Sequence, residues 1–225
     1  IHCYFDVIFL MNYEYSKIVA LFDLDGVILD TESQYTTLWE SIGIDFLGRT
    51  GFGNLIKGQT LVNIFETYFK DESKHEEINR RLKDFEKNMK LPFVLGAKDF
   101  VQDLRQKGIK TAIVTSSDSS KMESVYNKIP EFKSMFDKIL TAEMFEKGKP
   151  NPDCYLLGAK LFNAKIENCI VFEDSFHGLQ AGRSANMKVV GLATTNPKEK
   201  IIDKADIIIE DFSNISIEKL LEDLY

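Results

Sequence analysis

Ile18-Val19-Ala20-Leu21-Phe22 is an unbroken apolar run that stops abruptly at Asp23. A strand with one wet face alternates apolar and polar residues. An unbroken run suits a parallel strand buried on both faces. Similar runs lie at Thr111–Val114, Cys169–Phe172 and Lys188–Leu192, with a short one at Ile207–Ile209 and a weaker one at Lys138–Leu140. Between them fall helical stripes such as Phe100, Val101 and Leu104, or Tyr155, Leu156, Ala159 and Leu161, the latter with Pro152 placed for its first turn. Strands alternating with helices predict an α/β fold, a doubly wound, Rossmann-like parallel sheet. Ligands bind such sheets beyond the carboxyl ends of the strands. Asp23, Thr115-Ser116 and Glu173-Asp174 all fall there, each just after its run.

One stretch breaks the alternation. From Thr31 to about Leu91 no convincing strand appears. Thr31 and Gln34 fit a capping box, and Ser73 and Glu76 resemble a second. Ile78, Leu82, Phe85 and Met89 mark one helix, and Leu61, Ile64, Phe65 and Phe69 another. This reads as an all-helical insert with Trp39 in its core. The expected domains are a catalytic core of residues 18–30 and 96–225, a helical cap of 31–95, and an N-terminal extension, 1–17, of unassigned role. Hinges are expected near 30–33 and 91–96. A C-terminal helix striped by Ile217, Leu220 and Leu221 is expected to cover the sheet.

Composition excludes several classes. A net charge of −7 over 225 residues argues against a broad nucleic-acid surface, which needs Lys and Arg to neutralise phosphates. Cys3, Cys154 and Cys169 lie far apart and make no C-x-x-C pair, so zinc sites gain no support. Their odd number suits a reducing cytoplasm, which is the expected location. The apolar residues Ile1–Leu10 are too few to span a bilayer and lack a basic start, so no membrane role is assigned, and Met11 is a candidate start.

Asp23-Leu24-Asp25-Gly26-Val27 places two carboxylates two residues apart beyond the first strand, where both reach one crevice. Taken alone, Asp and Gly there also make an ordinary turn. A calcium loop is ruled out, because its twelfth position would be Gln34. Ser116 and Ser117 precede a helix, where hydroxyls and backbone N–H groups hold either a phosphate oxygen or merely a helix cap. Lys149, in Gly148-Lys149-Pro150-Asn151-Pro152-Asp153, reads alone as a surface charge. Glu173 and Asp174 read alone as one cap and one solvated acid.

Together these residues resemble the haloacid dehalogenase superfamily, whose members carry Asp-x-Asp-Gly after strand one, Ser or Thr after a later strand, then a Lys, then acids after another strand. The stretches Asp23–Glu32, Gly148–Asp153 and Phe172–Gly182 are most similar to the β-phosphoglucomutase-like branch. The resemblance covers about residues 18 to 210 and implies phosphoryl transfer. It implies Asp23 as nucleophile, Asp25 as acid and base, and Ser116, Ser117 and Lys149 as groups binding the phosphoryl oxygens. It further implies Mg²⁺ held by Asp23, the Asp25 backbone carbonyl and Asp174, with Glu173 in direct contact or one layer out. The expected activity is a phosphatase acting on a small phosphorylated metabolite, and the default assembly is a monomer. A dehalogenase would lack Asp25. A mutase would carry His and Arg where Tyr35 and Leu61 stand, to hold a second phosphate. A catalytically dead module on the same fold is the alternative from another class. Lys57 and Gln59 are candidate cap residues facing the site, and His177 is a weaker candidate for substrate contact.

Overall fold

Each apolar run becomes a strand in the computed structural model, which describes residues 14–57 and 59–225. Ile1–Leu10, Met11 and Cys3 lie outside the described residues. The strands are β1 Val19–Phe22, β2 Lys110–Val114, β3 Lys138–Leu140, β4 Cys169–Glu173, β5 Lys188–Leu192 and β6 Ile207–Ile209. They form one parallel sheet in the order β3-β2-β1-β4-β5-β6. β1 is central, with Phe22 opposite Ile113 on one side and Phe172 on the other. The chain reverses its direction of build between β1 and β4, so a crevice opens at their carboxyl ends.

The helices in chain order are α1 Glu32–Leu47, α2 Phe52–Leu55, α3 Leu61–Tyr68, α4 His75–Asn88, α5 Ala97–Gln106 and α6 Ser119–Lys128, then α7 Phe132–Met135, α8 Asp153–Leu161, α9 Phe176–Ser184, α10 Lys198–Ile201 and α11 Ile217–Leu224. Alternation along β1 divides the core. Ala20 and Phe22 face α5, α6 and α11, while Val19 and Leu21 face α8 and α9. Leu21 and Phe22 are fully buried, and such side chains contribute roughly 1.5–3 kcal/mol each. Phe22 stacks on Phe172 with centroids 4.5 Å apart. The α11 residues Ile217, Leu220 and Leu221 close the first layer, as their stripe predicts.

Helices α1–α4 bury their own cluster, including Trp39, Ile42, Phe52, Ile64 and Ile78, which shares no member with the two sheet clusters. The segments leading into and out of these helices run side by side. Leu29 and Phe93 form an antiparallel bridge, Asp30 N–H donates to Pro92 (2.8 Å), and Val94 N–H donates to Ile28 (3.0 Å).

Three local expectations fail. Thr31 does not cap α1: its backbone is already near-helical, and its hydroxyl donates to Leu29 and Asp25 instead. The Gln34 amide is likewise drawn away, pairing both ways with the Lys90 main chain. Ser73 does not cap α4, because a 3₁₀ turn at Glu72–Lys74 intervenes and Asp71 caps that turn. In α8 the buried face is Cys154, Tyr155, Gly158 and Ala159, and Leu156 and Leu161 are turned outward. Pro152 occupies the cap position just before α8.

Candidate active site

Asp23 leaves β1 with its N–H still donating to Phe172 (3.0 Å), so the sheet fixes its backbone. Its carboxylate accepts from Lys149 Nζ (2.5 Å). The same ammonium donates to Glu173 Oε1 (2.6 Å) and to the Val114 carbonyl (3.0 Å). Burial opposes the Lys149 charge, but the Asp23 and Glu173 carboxylates outweigh it and hold the ammonium protonated. Glu173 is saturated by the protein. Oε1 also accepts from the Tyr155 hydroxyl (3.0 Å), and Oε2 accepts from the Asp174 and Ser175 N–H groups and the Ser175 hydroxyl.

Asp25 lies one turn further out. One carboxylate oxygen accepts from Thr31, and the other from Ser117 (3.2 Å) and Lys121. Lys121 lies in the first turn of α6, only 5% exposed, with its ammonium 4.4 Å from the centre of the Tyr35 ring. The Tyr35 hydroxyl in turn donates to Glu86 (2.9 Å).

Asp174 differs from Glu173. Its Oδ2 is buried with no hydrogen-bond partner of normal geometry, Thr195 being the one hydroxyl that bears on this carboxyl, and the Ser116 hydroxyl at the end of β2 is likewise unpartnered. Burying an unmet carboxylate is costly. Burial, then the neighbouring Glu173, pushes Asp174 well above the usual carboxylate range. Burial likewise pushes Asp23 up to about 7 against the pull of Lys149. Asp23, Glu173 and Asp174 each bring an oxygen within 4.8 Å of the others. A divalent cation with oxygen ligands fits this set, supplying what Asp174 Oδ2 lacks. Gly26 keeps room for it: its φ is +80°, and a Cβ there would fall 2.1 Å from Asp174 Oδ2. The loop after β5 secures both segments, with Thr194 donating to the Gly26 carbonyl (2.5 Å) and Asn196 to that of Asp174 (2.9 Å).

The structure therefore brings Asp23, Asp25, Ser116, Ser117, Lys149, Glu173 and Asp174 to one end of the sheet. All of them but the fully buried Glu173 floor a cavity of about 470 Å³ whose far wall is formed by α1, α3 and α4. Lys57 and Gln59 also line it. His177 instead approaches the Lys57 carbonyl, with Nδ1 3.3 Å away, while His75 stacks on Phe65 within the helical insert. Sequence reasoning missed Lys121, Tyr155, Asn196 and the second role of Thr31. It also missed Glu32, a partly buried wall residue whose carboxyl burial, then Asp25, pushes up to about 7. Thr31 and Glu32 close the Asp23–Glu32 stretch and were the ones within reach of a reading.

Among the described residues no helix is long and apolar enough to cross a membrane. A family model described as haloacid dehalogenase-like hydrolase matches residues 20–192. The chain is 29% identical to the chloroplastic protein SUPPRESSOR OF QUENCHING 1 of Arabidopsis thaliana, over 92% of this chain and 21% of that one. It is 28% identical to the bifunctional riboflavin kinase/FMN phosphatase of the same plant, over 89% of this chain and 55% of the relative. It thus spans about a fifth and about half of the lengths of these two relatives. To the β-phosphoglucomutase of Bacillus subtilis it is 27% identical, covering 91% of this chain and 94% of that one. A crystal structure of a HAD hydrolase, family IA, variant 3, from Entamoeba histolytica superposes with a TM-score of 0.79 at 24% identity, over 92% of this chain and 99% of the other.

Proposed function

The chain belongs to the haloacid dehalogenase-like hydrolases, in their β-phosphoglucomutase-like branch, and from that premise we propose that it is a Mg²⁺-dependent phosphatase of small phosphorylated metabolites. The observation that carries this reading is the buried, unpartnered Asp174 oxygen beside the Lys149-paired Asp23. Residues 31–95 are the cap over the site.

In this mechanism Asp23 attacks phosphorus. The bond to the leaving oxygen breaks, Asp25 gives that oxygen a proton, and an aspartyl-phosphate remains on Asp23. Asp25 then takes a proton from water as the water attacks the phosphorus, and Asp23 is released with inorganic phosphate. Ser116 and Lys149 donate to the phosphoryl oxygens, where most phosphoryl-transfer catalysis arises. The Asp23 and Asp174 carboxylates and the Asp25 carbonyl would hold Mg²⁺, which would supply charge neutralisation at those oxygens. Glu173, with both oxygens taken by protein donors, orients Lys149 rather than binding the ion. Asp23→Asn should abolish phosphate release while leaving the melting curve of the fold in place, and EDTA should silence the enzyme until Mg²⁺ is restored. Turnover surviving Asp23→Asn at more than a trace would sink the nucleophile assignment.

The full-length similarity to a β-phosphoglucomutase favours mutase chemistry as a second reading. Against it, Tyr35 and Leu61 line the cavity where a second phosphate would need charged donors. With β-glucose 1-phosphate and a trace of the bisphosphate, inorganic phosphate supports hydrolysis and glucose 6-phosphate supports the mutase.

A further inference from the structure

We infer that the hydroxyl of Tyr155, fully buried beneath the site, is a positioning group that keeps one N–H of Lys149 aimed at the phosphoryl group. The inference rests on the phosphatase reading and concerns what lies behind the same cavity. An ammonium has three N–H donors. In Lys149 all three are taken, by Asp23 (2.5 Å), by Glu173 Oε1 (2.6 Å) and by the Val114 carbonyl (3.0 Å). A phosphoryl oxygen can be bound only if one of these bonds is given up. Asp23 and Lys149 line the cavity, whereas Val114 and Glu173 lie behind them, fully buried. The N–H that reaches Asp23 is therefore the one a substrate can take over as Asp23 turns to phosphorus. The other two bonds are anchors.

The Glu173 anchor works only if it stays in place. A carboxylate offers about four acceptor directions. Oε2 is held by the Asp174 N–H (3.0 Å), the Ser175 N–H (3.1 Å) and the Ser175 hydroxyl (3.1 Å). Lys149 and the Tyr155 hydroxyl (3.0 Å) share Oε1. Without that hydroxyl, an acceptor direction opens on Oε1, beside Lys149 and away from the cavity. The ammonium can then settle deeper onto the carboxylate, with its third N–H turned from the substrate. The chain places Tyr155 for this task. It follows Lys149 by a short Pro-rich loop and lies in the first turn of α8, with the Lys149 ammonium 5.3 Å from the centre of its ring. The ring packs among Leu21, Val114 and Val171, which packing alone explains, but the apolar cluster makes no use of the hydroxyl.

Tyr155→Phe removes the hydroxyl and keeps the ring, so the packing and the ring's contact with Lys149 are retained. The probes are acetyl phosphate as substrate and orthovanadate, a mimic of the transferring phosphoryl group, as inhibitor, both with Mg²⁺. Relative to the unaltered protein, kcat/KM should fall and the vanadate inhibition constant should rise, each by roughly five-fold or more, the scale of a lost hydrogen bond at a buried charge. An inhibition constant does not depend on how much of the enzyme is folded. A hydroxyl that only supports the fold would therefore lower the rate and leave that constant where it was, even if the variant melts earlier. A vanadate constant that rises by less than about five-fold overturns the assignment, whatever the rate does. If the unaltered protein hydrolyses acetyl phosphate and the variant does so equally well, only the role of Tyr155 is wrong. If the unaltered protein releases no phosphate from it with Mg²⁺, the phosphatase reading falls, and the role of Tyr155 with it.

Discussion

Lys121 carries a charge into a position only 5% exposed, and Asp25 answers it. Replacing Lys121 by Met keeps most of the volume but strands the Asp25 carboxylate. Breaking a buried pair from one side costs about 3–5 kcal/mol. For a chain of this length that corresponds to a melting point lower by roughly 6–20 °C, which calorimetry would read. An unchanged melting point would mean that the pair contributes nothing. Nothing in the sequence announces this lysine, because its partner stands 96 residues earlier and a lysine beside a helix cap is ordinarily solvated. Asp23, Lys149, Glu173 and Asp174 were legible for the opposite reason. Each follows an apolar run or sits in a motif, so sequence order alone brings them to the same end of the sheet. The split between the adjacent acids was not legible. Only the positions of Tyr155, Ser175 and the backbone N–H groups show that Glu173 is saturated and Asp174 is not.

Strand β4 and helix α9 meet through a contact that tolerates no side chain. A Cβ on Gly178 would lie 1.7 Å from Glu173 Oε1, and the Gly178 N–H also completes the Ser175 cap (3.1 Å). Gly178→Ala should therefore push Glu173 off Lys149. Overpacking of this kind costs about 1–3 kcal/mol, and a displaced catalytic group can lose about 10²-fold in rate. Phosphate release should fall far more than the melting temperature does, and equal losses on both measures would count against an orienting role for Glu173. At this scale the strands were readable, because burial on both faces leaves a continuous apolar signature. Helix starts were less so. Thr31 and Ser73 have the right side chains for caps, yet long-range partners and an intervening 3₁₀ turn take precedence over local pattern.

Across the molecule, the crowding of acids at the strand ends links stability to pH and metal. Burial pushes the Asp23 and Glu32 carboxyls up to about 7, well above the ordinary carboxylate range. Carboxyls raised in this way hold protons more tightly in the folded state. The stability they lend is complete below the unfolded values and is lost as pH rises through about 7. A bound cation competes with those protons. The stabilisation by Mg²⁺, measured as the difference in melting point between Mg²⁺-loaded and EDTA-treated protein, should widen from pH 5 to pH 8. One pKa unit is worth about 1.4 kcal/mol, so a flat difference would contradict this linkage. The paired segments around Leu29 and Phe93 carry a separate consequence. Since the chain leaves the sheet and returns to it at adjacent points, joined Ile28 to Val94, the four intervening helices amount topologically to one long loop on a hairpin stem. Such a cassette can be exchanged for another of different shape without re-registering a single strand, so under the proposed function the specificity of the chemistry and the chemistry itself would be free to diversify separately.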